Sequence, residues 1–238
     1  MKKLITICAF LLATAASAQK HVYEDLLVLF VDEKYEKCIF KAEGYTQADA
    51  TKKDALPFLY VSMCLYEMSK LEKYNVDYPK AARDAVKWAE KYRKKDKNKE
   101  FFDNYADFWE DLNTMAMEKG MNGYDDGDFS KAKQTFDAMV GYYPENPGAW
   151  MMLAIVQYKS NLAKEGDLSM TSFDKAIAAA GDISTLPPDQ KKLLKNALIR
   201  YADLQVAKGD RAKARKYAEI GKDVFMEEPD FKGMWDSL

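Results

Sequence analysis

Residues 113–146 read NTMAMEKGMNGYDDGDFSKAKQTFDAMVGYYPEN, and this stretch decides the fold. Gly127-Asp128 is a turn signal between two helical patterns. Pro144 stops the second pattern, because proline cannot continue a helix. Gly120 and Ala132 supply small side chains where two helices would cross, and Phe136 follows Ala132 by one helical turn. Asp128 stands where a helix N-cap is needed. Asp125, Asp126 and Asp128 together make an acidic turn, but EF-hand spacing and its terminal Glu are absent. Capping, with acids favoured at a helix N-terminus, therefore explains these residues better than calcium.

The same pattern recurs on both sides. Downstream, Trp150-Met151-Met152-Leu153-Ala154 opens a unit that continues through Gly166-Asp167-Leu168, Phe173 and Ala176, with a turn longer by a few residues. A third unit, 198–229, carries Gly209-Asp210-Arg211, then Ala214, Ala218 and Gly221. Upstream, Asp77-Tyr78, Ala81, Ala85 and Trp88 form a weaker second helix. Its partner is 56–71, with Tyr60, Met63 and Cys64 on the packing side. Before that stand Lys34-Tyr35, Cys38 and Ala42, preceded by a short helix over 23–31.

These units resemble the tetratricopeptide repeat, a helix-turn-helix of about 34 residues with the pattern W-x2-L-G-x2-Y, A-x3-F and Pro. The match is strong in the C-terminal half and degenerate in the N-terminal half. Gln157 stands at the family tyrosine and Ala218 at the family phenylalanine. The resemblance implies an all-α fold, a right-handed α-solenoid of about five helix-turn-helix pairs that bury one another's apolar faces. Residues 19–98 would hold the degenerate pairs and 99–228 the clearer repeats. Residues 229–238 would form a cap, with Phe231 and Trp235 covering the last face. It further implies a concave groove lined by the first helix of each pair: Met117, Met121, Tyr124, Met151, Ile155, Tyr158, Ile199 and Val206. That lining is apolar and rich in Met, which suits adaptable binding of a peptide or helix. Partial burial of these residues between pairs is the competing expectation. The Lys and Asn pattern with which the family clamps a carboxylate terminus is not evident.

The whole chain has 238 residues, 48% hydrophobic and 31% charged, which is a foldable balance. Only 11 Gly and 7 Pro argue against a turn-rich all-β fold. One His excludes chemistry built on several histidines, and 3 Cys are too few for a disulfide scaffold. A formal charge of −2 gives no reason to expect nucleic acid as the main ligand.

The N-terminus, MKKLITICAFLLATAASAQ, has the three parts of a secretory signal: Lys2 and Lys3, an apolar stretch from Leu4 to Leu12, and Ala16-Ser17-Ala18. Residues 1–18 are therefore expected to be a signal peptide, and the mature protein periplasmic, with no transmembrane segment. Association with the periphery of the outer membrane fits the same expectation. The Ala-Gln cleavage site resembles signals of Bacteroidota. Exported tetratricopeptide proteins there include parts of the gliding and type IX secretion machinery. By that analogy the chain is expected to be a non-enzymatic scaffold or adaptor that holds protein partners in an envelope complex.

The alternative is a secreted metal- or small-ligand-binding protein. After cleavage, Gln19-Lys20-His21 would offer an amine, amides and an imidazole to Cu(II) or Ni(II), unless Gln19 cyclises. A Cys/His nucleophile built on Cys38 or Cys64 and His21 conflicts with the packing positions that both cysteines occupy. Whether Cys38 and Cys64 are bridged stays open. No catalytic residue, metal site or cofactor is expected. The basic run 91–99 reads as a helix C-terminus followed by a solvated linker. Phe101, Tyr105, Phe108 and Leu112 share one stripe of a helix expected over 100–121. Phe102 and Trp109 lie on an adjoining stripe, either widening the core face or contacting a partner.

Overall fold

The computed structural model describes residues 21–238. The expected signal segment 1–18 and the Gln19 terminus lie outside the described residues. Among the described residues the protein is all-α, with no strand. The helices are α1 (Glu24–Val31), α2 (Tyr35–Gln47), α3 (Leu56–Ser69), α4 (Ala81–Lys95), α5 (Ala106–Asp125) and α6 (Phe129–Tyr142). They continue with α7 (Pro147–Lys159), α8 (Ala163–Ala180), α9 (Pro188–Ala207), α10 (Arg211–Ala218), α11 (Lys222–Phe225) and α12 (Pro229–Ser237). No helix among the described residues is long and apolar enough to cross a membrane.

Consecutive helices pack as neighbouring pairs: α1 with α2, α3 with α4, α5 with α6, α7 with α8, and α9 with α10. Local chemistry sets the turns. Gly127 and Gly209 adopt φ of +76° and +80°, a backbone conformation that costs an L side chain. Asp128 and Asp210 then cap α6 and α10 by accepting from Lys131 N (3.0 Å) and Lys213 N (2.9 Å). Small residues let α5 and α6 touch: a Cβ on Gly120 would lie 2.7 Å from the Phe136 ring.

Two kinds of helix result. In α4, Ala81, Ala85, Ala89 and Tyr92 bury one face, and the charged residues stand away from it. In α3 and α7 the apolar residues run all the way round, so these helices need neighbours on every side. α3 is enclosed by α1, α2 and α4, and α7 by α6, α8 and α9. Helix α5 also reaches past α7 and α8 to touch α9. Contacts in the C-terminal half are therefore not restricted to adjacent pairs.

The structure departs from the sequence pattern in two places. Residues 100–121 are not one helix: Phe102–Tyr105 is a 3-10 turn and α5 begins at Ala106. The buried Asp96 carboxylate accepts from Glu100 N (2.7 Å), Phe101 N (3.1 Å) and the Tyr92 hydroxyl, holding the chain in a turn. Trp109 Nε1 then donates to Phe102 O (2.8 Å), and the two rings stack at 4.6 Å. Phe102 and Trp109 are core, whereas Phe101, Tyr105 and Phe108 are half-buried. The second departure is the turn before α8. It falls at Ser160-Asn161-Leu162, with Asn161 at φ +60°, and not at Gly166. Gly166 lies inside α8, and glycine is needed there because a Cβ would meet the Tyr158 ring at 2.6 Å.

The basic run ends α4 at Lys95, but its cations are structural. Lys91 sits over Trp88 at 3.6 Å, and Arg93 and Lys99 pair with Glu145 at 3.1 and 2.7 Å. At the C-terminus, α12 buries Phe231 and Trp235, with Arg215 stacked 4.1 Å from the Trp235 ring.

Candidate interaction surface

The residues expected to line a concave groove divide into two groups. Met151 and Ile155 on α7 are 0% exposed and Met117 on α5 is 4% exposed, so all three are core. Their burial follows from the enclosure of α7 and from the contact between α5 and α9. Met121, Tyr124, Tyr158, Ile199 and Val206 are half-buried. Each tyrosine of this second group is already engaged. Arg200 lies over the Tyr124 ring (5.4 Å) and pairs with Asp125 (3.0 Å). The Tyr158 hydroxyl donates to Asp167 (2.7 Å), and Lys208 covers its ring at 4.3 Å. The eight residues therefore do not form one continuous apolar trough.

The apolar surface that is open lies at the other end of the chain. On α1, Leu27, Val28 and Val31 are exposed, at i, i+1 and i+4 of one face. On α2, Phe40 is 82% exposed. Large side chains scattered singly over a surface need no explanation, but these share one helix pair. Between α1 and α2 runs an open depression of about 1140 Å³, lined by Leu29, Phe40 and Tyr45 and rimmed by Glu36, Lys37, Lys41 and Glu43. Its base is fixed electrostatically. Tyr45 OH and Lys41 Nζ reach the Asp25 carboxylate at 2.7 and 2.6 Å. Burial pushes the Asp25 carboxyl up, but these two hydrogen bonds, a third from the Leu26 backbone and the Lys41 charge together outweigh it and hold it below the usual carboxylate value.

The reason for this exposure is positional. Residues 26–31 read LLVLFV, apolar on every face of a helix, yet among the described residues α1 packs chiefly on α2 and α3. That run is the signal in the sequence for the exposed face, and Phe40 is a second: it interrupts the polar stripe of Glu36, Lys37 and Lys41.

Cys38 and Cys64 are free, fully buried thiols on the facing helices α2 and α3. The Cys38 thiol donates to Leu26 O at 3.5 Å. The Cys38 sulfur beside it, together with burial, pushes the Cys64 thiol up. His21 Nδ1 lies 2.7 Å from Asp54, which also accepts from Tyr23 OH at 2.6 Å. Among the described residues no group of three or more His, Cys, Asp or Glu converges as a metal site. No protein-family model matches the chain, and no curated protein or solved structure gives a significant match.

Proposed function

We propose that this chain is a non-enzymatic scaffold of the tetratricopeptide kind that holds a protein partner, using the apolar face of α1 and α2. The observation that carries the reading is the co-location of Leu27, Val28, Val31 and Phe40 on one exposed helix pair. Exposed apolar patches of this type mark protein–protein contacts. Packing of consecutive helices as pairs supports the repeat resemblance, and the terminal pair of a repeat array presents an apolar face that a partner can cover. The secretory pattern of residues 1–18 supports a periplasmic setting, and with it a place in an envelope assembly of the secretion or gliding class.

The test is affinity purification from native envelope with three baits: wild type, Val28→Glu/Phe40→Glu, and Tyr124→Ala. The proposal expects a partner that wild type and Tyr124→Ala enrich and the α1–α2 variant loses. Loss on Tyr124→Ala alone would return the binding site to the α5–α9 rim, and no differential partner with any bait would overturn the reading.

A further inference from the structure

Arg83 and Lys87 on α4, Lys119 on α5 and Lys131 on α6 surround a recess of about 260 Å³, whose other walls are Val86, Gln134, Thr135 and Ala138. The fold gathers these cations by packing α6 against both α4 and α5. The chain carries 36 basic and 38 acidic residues, so a cluster of four cations runs against its overall balance. Lys87, Lys119 and Lys131 make no ion pair among the described residues, although Lys94 and Lys133 nearby do. Asp84 is a carboxylate that faces Lys119, and it is taken up by the adjoining Arg83 at 3.0 Å. Burial, followed by the charges of Lys131 and Arg83, pushes the Lys119 ammonium below the ordinary lysine value. Lys119 is half-buried while Lys87 and Lys131 stand exposed at the rim, so the repulsion of its neighbours falls on Lys119 and opposes folding there. A ligand that cancels these charges would turn that cost into affinity.

We propose that the recess between α4, α5 and α6 binds a small phosphate monoester, with the phosphate among Arg83, Lys87, Lys119 and Lys131. A dianion meets several cations at once, which a single carboxylate does not. Val86, Ala138 and the lysine stems give an apolar wall for a short organic body. The volume falls below the roughly 300–1,000 Å³ of sites for drug-sized ligands, which favours a ligand smaller than a nucleotide. The phosphate can come from a soluble ester or from a monoester lipid headgroup. This inference does not depend on the protein-binding reading, because the recess lies on different helices from α1 and α2.

The experiment titrates glycerol 3-phosphate into wild type and Lys119→Gln/Lys131→Gln by calorimetry at constant ionic strength. In parallel, both proteins are floated with phosphatidylcholine vesicles carrying phosphatidic acid or phosphatidylglycerol. The expectation is saturable binding weakened about tenfold or more in the double variant, since each lost charge-assisted contact weighs heavily. Binding of the ester identifies a soluble ligand. Flotation on phosphatidic acid alone, without ester binding, identifies the headgroup. The variant should melt no lower than wild type, because repulsion is removed. Should it fail to fold, Lys87→Gln/Lys131→Gln replaces it, since both of these side chains are exposed. Absence of both signals, equal flotation on the two lipids without ester binding, or undiminished affinity in the variant would overturn the proposal.

Discussion

Asn113 on α5 donates from Nδ2 to Asp189 at the start of α9 (2.8 Å), although 76 positions separate them along the chain. The Asn113 carbonyl oxygen accepts from Tyr142 OH on α6 at 2.5 Å. One buried amide thus joins three helices. With Arg200 and Asp125 it fixes α9 against α5, while α9 also packs on the enclosed α7. Met151 and Ile155 on α7 are fully buried in this packing.

Replacing Asn113 by Ala removes the acceptor of Tyr142 OH and the donor to Asp189 together. Both partners are buried, so neither recovers full hydration. The expected loss is about 2–4 kcal/mol, measured by urea unfolding. A loss below about 0.5 kcal/mol would show that water replaces the amide freely.

Asp189 itself carries a pH signature. Burial pushes its carboxyl above 3.8, and the hydrogen bond from Asn113 offsets this only in part. The folded state therefore takes up a proton before the unfolded chain does. This site's contribution to stability falls as pH rises from the ordinary aspartate value through the raised one. Asp25 and Asp230 are shifted downward and act in the opposite sense. Asp189→Asn should accordingly be more stable than wild type at neutral pH, and the gap should close as pH falls below about 4. Parallel melting curves across that range would contradict it.

Glycine substitutions separate helix entropy from steric fit. At Gly148 on α7, a Cβ would stand 2.6 Å from the backbone nitrogen of Leu194, which cannot move aside as a side chain can. Gly148→Ala should cost about 1–3 kcal/mol or more by overpacking. At Gly44 on α2 nothing lies within 4 Å. Gly44→Ala should raise stability by about 0.4–1 kcal/mol through helix propensity and reduced unfolded-chain freedom. Thermal unfolding of the two variants side by side checks both signs.

Cys38 and Cys64 should resist iodoacetamide in the native protein and react fully in denaturant, because both sulfurs are buried and the Cys64 thiol is held protonated. Peptide mapping after timed alkylation reads this directly. Rapid native labelling of Cys64 would mean that α2 and α3 open locally.

Much of the helical layout is legible in the chain. The Gly-Asp turns at Gly127 and Gly209 announce helix pairs because only short-range sterics and capping are involved. The helix start at Ala106 is not legible. It depends on Asp96, which sits in the preceding linker and competes for the backbone donors of Glu100 and Phe101. The shifted turn before α8 has a similar cause: Gly166 reads as a turn residue, yet its role is to admit the Tyr158 ring.

For the interaction surfaces the division is sharper. The apolar run of residues 26–31 is written in the sequence, and so is the Met-rich character of α7. Which of the two faces solvent is a property of neighbours: α7 lies among α6, α8 and α9, whereas among the described residues α1 packs chiefly on α2 and α3. The basic recess is wholly tertiary, since Arg83, Lys119 and Lys131 come from separate helices whose individual charge patterns are ordinary. Sequence by itself determined that this chain is helical and where most of its turns fall, because hydrophobic period, glycine φ and caps act within a few residues. Only the tertiary structure decided which apolar faces are covered and which cations converge, because burial and Coulomb energy depend on distance in space rather than along the chain.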